Sequence, residues 1–110
     1  TTQMFFDNKK YFDFVKKNRE AGIEIPIIPG LKPITSKKQL SVLPRTFHVD
    51  IPTELSNEIL ICKTDADVEI VGTEWLLAQS RELKKIGVPV LHYYTLGKPH
   101  VIANVVKELV

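Results

Sequence analysis

Apolar residues fall along this chain in two patterns, short near-continuous runs and longer stretches of helical period. Thr2-Gln3-Met4-Phe5-Phe6 is a short apolar, aromatic-rich run, and Asp7-Asn8 follows with helix-capping chemistry, which predicts a strand running into a helix. Tyr11, Phe14 and Val15 then share one helical face, with Lys9, Lys16 and Lys17 elsewhere. The helix is expected to stop at Gly22, the residue best able to take the left-handed conformation past a helix end. Ile23 to Ile28 is apolar enough for a strand buried on both faces, closed by a tight turn at Pro29-Gly30. Pro26 in its middle cannot donate to a ladder, so that strand requires a bulge or an N–H position left unpaired.

Ser36-Lys37-Lys38-Gln39 has the pattern of a capping box and predicts a short helix through Leu40, Val42 and Leu43, interrupted at Pro44. Residues 44–64 are the least regular, with Thr53 placed to cap a short helix through Leu55 and Ile59. From Asp65 the helical period returns in Val68, Trp75, Leu76, Leu83 and Ile86. Lys84-Lys85 stand in the last turn and Gly87 closes it. Val90 to Leu96 reads as a third strand. Pro99 then suits the first position of a final helix whose apolar face is Val101, Ile102, Val105, Val106 and Leu109.

One unit is repeated: Gly22-Ile23-Glu24-Ile25 leads to Gly30-Leu31-Lys32-Pro33 as Gly87-Val88-Pro89-Val90 leads to Leu96-Gly97-Lys98-Pro99. Each is a helix end, a strand, a Gly-containing loop and a helix start. Strands alternating with such helices specify an α/β class with parallel pairing and right-handed crossovers. About three parallel strands leave two open edges and too few helices to cover both faces, so the chain reads as a piece of a larger sheet. A small open α/β domain complete in itself is the alternative.

The chain has 110 residues, 44% of them hydrophobic and 25% charged, which limits it to one modest core. Its net charge of +2 comes from scattered lysine doublets, read as solvated helix faces because a nucleic-acid surface needs a concentrated basic stripe. A single cysteine, Cys62, excludes a disulfide framework or a thiolate metal site built within the chain and fits a reducing compartment. With no bilayer-length apolar run and no signal-peptide pattern, a cytoplasmic location is expected.

Several stretches carry a family resemblance. Thr2-Gln3-Met4-Phe5-Phe6-Asp7, then Ala21-Gly22-Ile23 with Ile27-Ile28-Pro29-Gly30, then Val71-Gly72 and Gly87-Val88, and finally Leu91-His92-Tyr93-Tyr94-Thr95-Leu96 resemble, in order, the last three βα units of the methylenetetrahydrofolate reductases. The resemblance implies that the chain is the C-terminal part of a (β/α)8 TIM barrel. A whole barrel takes roughly 250 residues, so this chain would be less than half of one. It also implies a flavin enzyme in which NADH or NADPH reduces FAD and the reduced flavin passes a hydride to methylenetetrahydrofolate. Most FAD contacts and the family's general acid would come from earlier strands, leaving no catalytic residue here and a segment inactive alone.

The same resemblance assigns substrate-binding roles to four residues. Gln3 matches the family glutamine that hydrogen-bonds substrate, a task suited to an amide with one acceptor and two donors. Leu43 and Leu96 fall where apolar side chains would hold a flat ligand. Lys98 stands where the family commonly has arginine, so a point charge replaces a bidentate fork, and Gly97 replaces a neighbouring asparagine. The rival readings are ordinary ones: a satisfied polar residue for Gln3, core packing for the leucines, a solvated helix start for Lys98. His92 is expected to be a packed core histidine, His48 and His100 surface groups, Trp75 a core residue, Asp7 a helix cap, and Cys62 no nucleophile. A homo-oligomer is expected, with no nucleic-acid or membrane partner, and the unpaired edges invite self-association. The functional alternative is a non-catalytic module whose loops around Gly30 and Gly97 bind an anion at helix N-termini.

Overall fold

The computed structural model describes residues 2–25, 27–47, 49–88, 90–94 and 99–109. The elements are α1 (Asn8–Glu20), β1 (Gly30–Leu31), α2 (Gln39–Phe47), α3 (Thr53–Leu60), α4 (Asp65–Lys85), β2 (His92–Tyr93) and α5 (Pro99–Leu109). The anticipated roles of Pro26, His48, Leu96, Gly97 and Lys98 lie outside the described residues.

Helix ends follow the local chemistry of the sequence. Asp7 caps α1, its carboxylate accepting from the Lys9 N–H at 3.0 Å, and Thr64 caps α4 by accepting from the Asp67 N–H at 3.2 Å. Both helices close with the same paired bonds past a left-handed glycine. The Gly22 N–H (φ +82°) donates to Arg19 O and the Ile23 N–H to Asn18 O, while the Gly87 N–H (φ +93°) donates to Lys84 O and the Val88 N–H to Leu83 O. The repeat seen in the sequence is thus a repeated helix-stop motif. Asp7→Ala is expected to remove about 1 kcal/mol and lower the thermal midpoint by about 5 °C, read by circular dichroism. An unchanged midpoint would show that the cap contributes nothing.

The sheet is parallel and small. β1 pairs with β2, Gly30 opposite His92 and Leu31 opposite Tyr93, and Met4 joins the other side of β1 through a bridge to Gly30. Bonds from the Thr2 N–H to Ile28 O (2.8 Å), the His92 N–H to Pro29 O (3.0 Å) and the Tyr94 N–H to Leu31 O (2.8 Å) continue the pairing. Three parallel segments therefore lie in the order 2–6, β1, β2.

Three expectations are corrected. The strand expected over Ile23 to Ile28 forms later, at Gly30–Leu31. Ile23 is tied into the end of α1, and the Arg19 guanidinium takes the carbonyls of Ile23 (2.6 Å) and Ile25 (3.1 Å), leaving both side chains exposed. Pro44 does not interrupt α2, which runs through it to Phe47. There the burial of Leu43 outweighs one lost backbone bond. His92 is exposed rather than packed in a core: it sits on the edge strand with its ring edge-on to Tyr94 at 4.7 Å.

Alternation along residues 4–6 divides the core in two. Met4 and Phe6 join Ile34, Leu43, Val49, Leu55, Ile59 and Val68 in one cluster. Phe5 joins Tyr11, Leu31, Leu76, Leu83 and Val105 in the other. α4 serves both, and Gly72 brings its backbone against Ile34: a Cβ there would overlap the Ile34 carbonyl oxygen and lie 2.8 Å from the carbonyl carbon. The end of the first segment is fixed to α4 by polar bonds as well. Trp75 Nε1 donates to Phe6 O at 2.7 Å, and Gln79 Nε2 donates to Phe5 O at 3.3 Å and to Asn8 Oδ1 at 3.2 Å. No helix among the described residues is long and apolar enough to cross a membrane.

Candidate functional site

Gln3 is exposed near the start of the first parallel segment and flanks two hollows. The larger, about 400 Å³, is lined by Thr2, Gln3, Phe5, Lys10, Tyr11 and Phe14. The smaller, about 180 Å³, lies between Gln3, Phe6, Val49 and Asp50. Together they make an apolar, aromatic-walled groove with an amide at its mouth and one cation, Lys10. That is a composition suited to a flat organic ligand with polar edges. Lys10 lies 3.4 Å from Asp50 with both side chains mostly in solvent, so the pair contributes little stability and leaves the ammonium able to turn toward a ligand.

α1 supplies this wall because residues 10, 11 and 14 recur at helical spacing on the face turned to the first segment. Tyr11 is buried, stacked on Phe5 at 5.5 Å, and donates to Ile27 O at 2.7 Å. Desolvation raises the Tyr11 hydroxyl's pKa, with the Arg19 charge opposing. Phe14, expected among the buried residues of α1, is 49% exposed. The sequence pattern places Phe14 on the apolar face of the helix and does not mark it or Lys10 as part of a site.

Leu43 is 2% exposed and belongs to the first core cluster. It approaches the groove only through Met4, Phe6 and Val49, cluster members that line the smaller hollow. Leu96 and Lys98 follow Tyr94 in sequence and lie outside the described residues. Gln3 and Leu43 are therefore joined by packing, without direct contact shown between them.

Other candidates resolve simply. Trp75 is half-buried against the first cluster, and Asp7 serves as the cap of α1. His100 is exposed and pairs with Glu69 at 2.9 Å. Gly30 is a strand residue, and the space a Cβ would need is filled by Thr2 O and the Tyr94 ring, so no anion-binding loop forms there. No cluster of three or more His, Cys, Asp or Glu suited to a metal occurs among the described residues. The described residues also do not fit FAD by themselves: their left-handed glycines close helices, and no cavity among them combines dinucleotide length with a cradle of backbone N–H groups.

An unexpected group lies near the groove's sheet. Lys32, directly after β1, is 3% exposed, and its ammonium donates to Pro33 O at 2.8 Å. Burial lowers its pKa to about 8. Nothing in the sequence marks it apart from the solvated lysine doublets, which are indeed exposed.

These features define an α/β protein with a small parallel sheet and an aromatic groove at the end of its first segment. The chain belongs to the methylenetetrahydrofolate reductase family, whose model matches residues 1–110. It is similar to a probable methylenetetrahydrofolate reductase (NADPH) of Caenorhabditis elegans, 33% identical over 110 residues that cover 98% of this chain and 17% of that protein. It is also similar to methylenetetrahydrofolate reductase 1 of Schizosaccharomyces pombe, 31% identical over 109 residues, covering 98% and 18%. The 5,10-methylenetetrahydrofolate reductase of Escherichia coli is 32% identical over 98 residues, covering 88% and 33%. The chain spans between about a sixth and a third of the length of these relatives.

Proposed function

We propose that the intact protein is a cytoplasmic methylenetetrahydrofolate reductase, which reduces 5,10-methylenetetrahydrofolate to 5-methyltetrahydrofolate with NADH or NADPH through bound FAD. In this reading the three parallel segments and their helices are the closing βα units of a (β/α)8 barrel, and the FAD contacts come mainly from residues other than these. The observation that carries the reading is Gln3 itself: an exposed amide on a parallel segment, beside an aromatic groove, within a chain matched throughout by the family model. Barrel chemistry is performed at the C-terminal ends of the strands, and the turn from Phe6 into α1 begins three residues after Gln3.

Gln3 binds the polar edge of the folate or the nicotinamide carboxamide, while Phe5, Tyr11 and Phe14 exclude water from its apolar face. Leu96 adds an apolar contact, Lys98 meets the acidic tail of the folate as a point charge, and Leu43 stiffens the wall behind the groove from the core. The segment supplies no proton-transfer group and is inactive alone. Gln3→Ala in the intact enzyme is expected to lower kcat/KM for methylenetetrahydrofolate about tenfold, the worth of one or two hydrogen bonds made to bound substrate. Steady-state kinetics across substrate concentrations checks it, and an unaltered kcat/KM would remove Gln3 from the pocket.

A further inference from the structure

The segment that carries Gln3 is held in place by a residue at the far end of the chain. Tyr94 follows β2, and its hydroxyl donates to the Thr2 carbonyl at 3.0 Å, a bond that spans 92 positions in sequence. Its ring lies over Gly30, where a Cβ would come within 2.8 Å of Tyr94 Cε2 and 2.5 Å of Thr2 O. Only the absence of a side chain at residue 30 lets the ring and the first segment share that space. The Thr2 hydroxyl completes the arrangement, donating to Gln3 O at 2.9 Å and accepting from the Gly30 N–H at 2.9 Å.

The geometry has a definite effect on Gln3. A peptide unit is planar, so a bond to Thr2 O fixes the plane that ends at the Gln3 nitrogen and Cα. The bond to Gln3 O fixes the next plane. Both planes flanking the Gln3 Cα are thereby held, one by the Tyr94 hydroxyl and one by the Thr2 hydroxyl, and the direction in which the Gln3 side chain leaves the backbone is set. The His92 ring, edge-on to Tyr94 at 4.7 Å, packs against the ring that makes this bond.

We propose that Tyr94 is a positioning residue for Gln3: through its bond to Thr2 O across Gly30, it orients the Gln3 amide toward the bound folate. In this account Tyr94 acts through its bond to Thr2 O. The inference rests on the reading of Gln3 as a substrate ligand and goes beyond it by naming what aims that ligand.

A double-mutant cycle in the intact enzyme tests it, with kcat and KM for methylenetetrahydrofolate measured for wild type, Gln3→Ala, Tyr94→Phe and the double variant. Tyr94→Phe keeps the ring over Gly30 and removes only the hydroxyl, and its thermal midpoint is recorded as a check on folding. The expected result is a fall in kcat/KM of about fivefold for Tyr94→Phe, carried by KM, that vanishes when Gln3 is already alanine. A purely structural bond would lower activity equally in both backgrounds. If Gln3→Ala lowers kcat/KM while Tyr94→Phe acts equally with and without Gln3, or has no effect, the positioning role is overturned and the Gln3 reading stands. If Gln3→Ala has no effect, that reading falls and this inference with it.

Discussion

Gly72→Ala is expected to destabilise the protein by about 3 kcal/mol, lowering the thermal midpoint by roughly 15 °C. Helix propensity alone favours the opposite result, since alanine gains up to about 1 kcal/mol over glycine inside a helix. Packing decides the sign. The new Cβ would overlap the Ile34 carbonyl oxygen and stand 3.0 Å from the Ile34 nitrogen, and a backbone neighbour cannot rotate aside as a flexible side chain can. α4 would have to lift away from residue 34, loosening Val68 on one side of Gly72 and Leu76 on the other, both fully buried, in the two different clusters. Urea unfolding of wild type and variant checks the prediction. A midpoint equal to or above wild type would mean that α4 does not approach Ile34 so closely.

Lys32→Met is expected to act in the other direction, stabilising the protein at neutral pH by about 2 kcal/mol. The Lys32 side chain is 3% exposed, and its ammonium meets only a neutral carbonyl, Pro33 O, among the described contacts. Desolvation lowers its pKa to about 8, against about 10.4 in an unfolded chain. The full shift corresponds to about 3 kcal/mol, which we discount to about 2 for residual solvent screening. Methionine keeps the unbranched stem and drops the charge, losing one weak hydrogen bond.

The sign with pH follows from proton binding. Below pH 8 both states hold the proton and the folded state carries the whole desolvation cost. Between about pH 8 and 10 the folded state has released it while the unfolded state still binds it, so stability rises with pH. Above pH 10 the trend reverses, because burial raises the pKa of Tyr11 and Tyr93 and the unfolded tyrosines ionise first. Urea midpoints from pH 7 to 10 should therefore climb in wild type and stay flat in Lys32→Met. A variant less stable than wild type at pH 7 would show that the ammonium is better solvated than its burial implies.

Helices were the legible part of this sequence, because their signals are local. Asp7, Gly22 and Gly87 mark ends that depend on bonds within a few residues, and the structure starts α1 after the first and stops α1 and α4 before the other two. Strands were less legible because parallel pairing is settled by distant residues. Ile23 to Ile28 is apolar and reads as a strand, yet Arg19 and the end of α1 claim its first carbonyls, so bonding to the neighbouring segments starts at Ile28 and the strand itself at Gly30. His92 is exposed on β2, at the margin of the sheet that the described residues form, which its neighbours in sequence do not reveal.

The site divides in the same manner. Gln3 was identified by resemblance, and the structure sets it beside a groove whose walls include Lys10 and Phe14, four residues apart on α1, of which Phe14 reads from sequence only as core-facing. Gly30 and Gly72 resembled family signatures, but the reasons for glycine there are Tyr94 and Ile34, 64 and 38 positions away. Lys32 gave no sign of burial, since a lysine beside a proline reads as surface unless its strand is known to be covered on that face.

The central claim, that this chain is part of a folate-reducing oxidoreductase, is tested most directly by the products of the intact protein. With FAD, a nicotinamide donor and methylenetetrahydrofolate supplied, 5-methyltetrahydrofolate should appear in one-to-one proportion to nicotinamide oxidised. Nicotinamide oxidation by a folded, flavin-loaded protein with no methyltetrahydrofolate formed would contradict it.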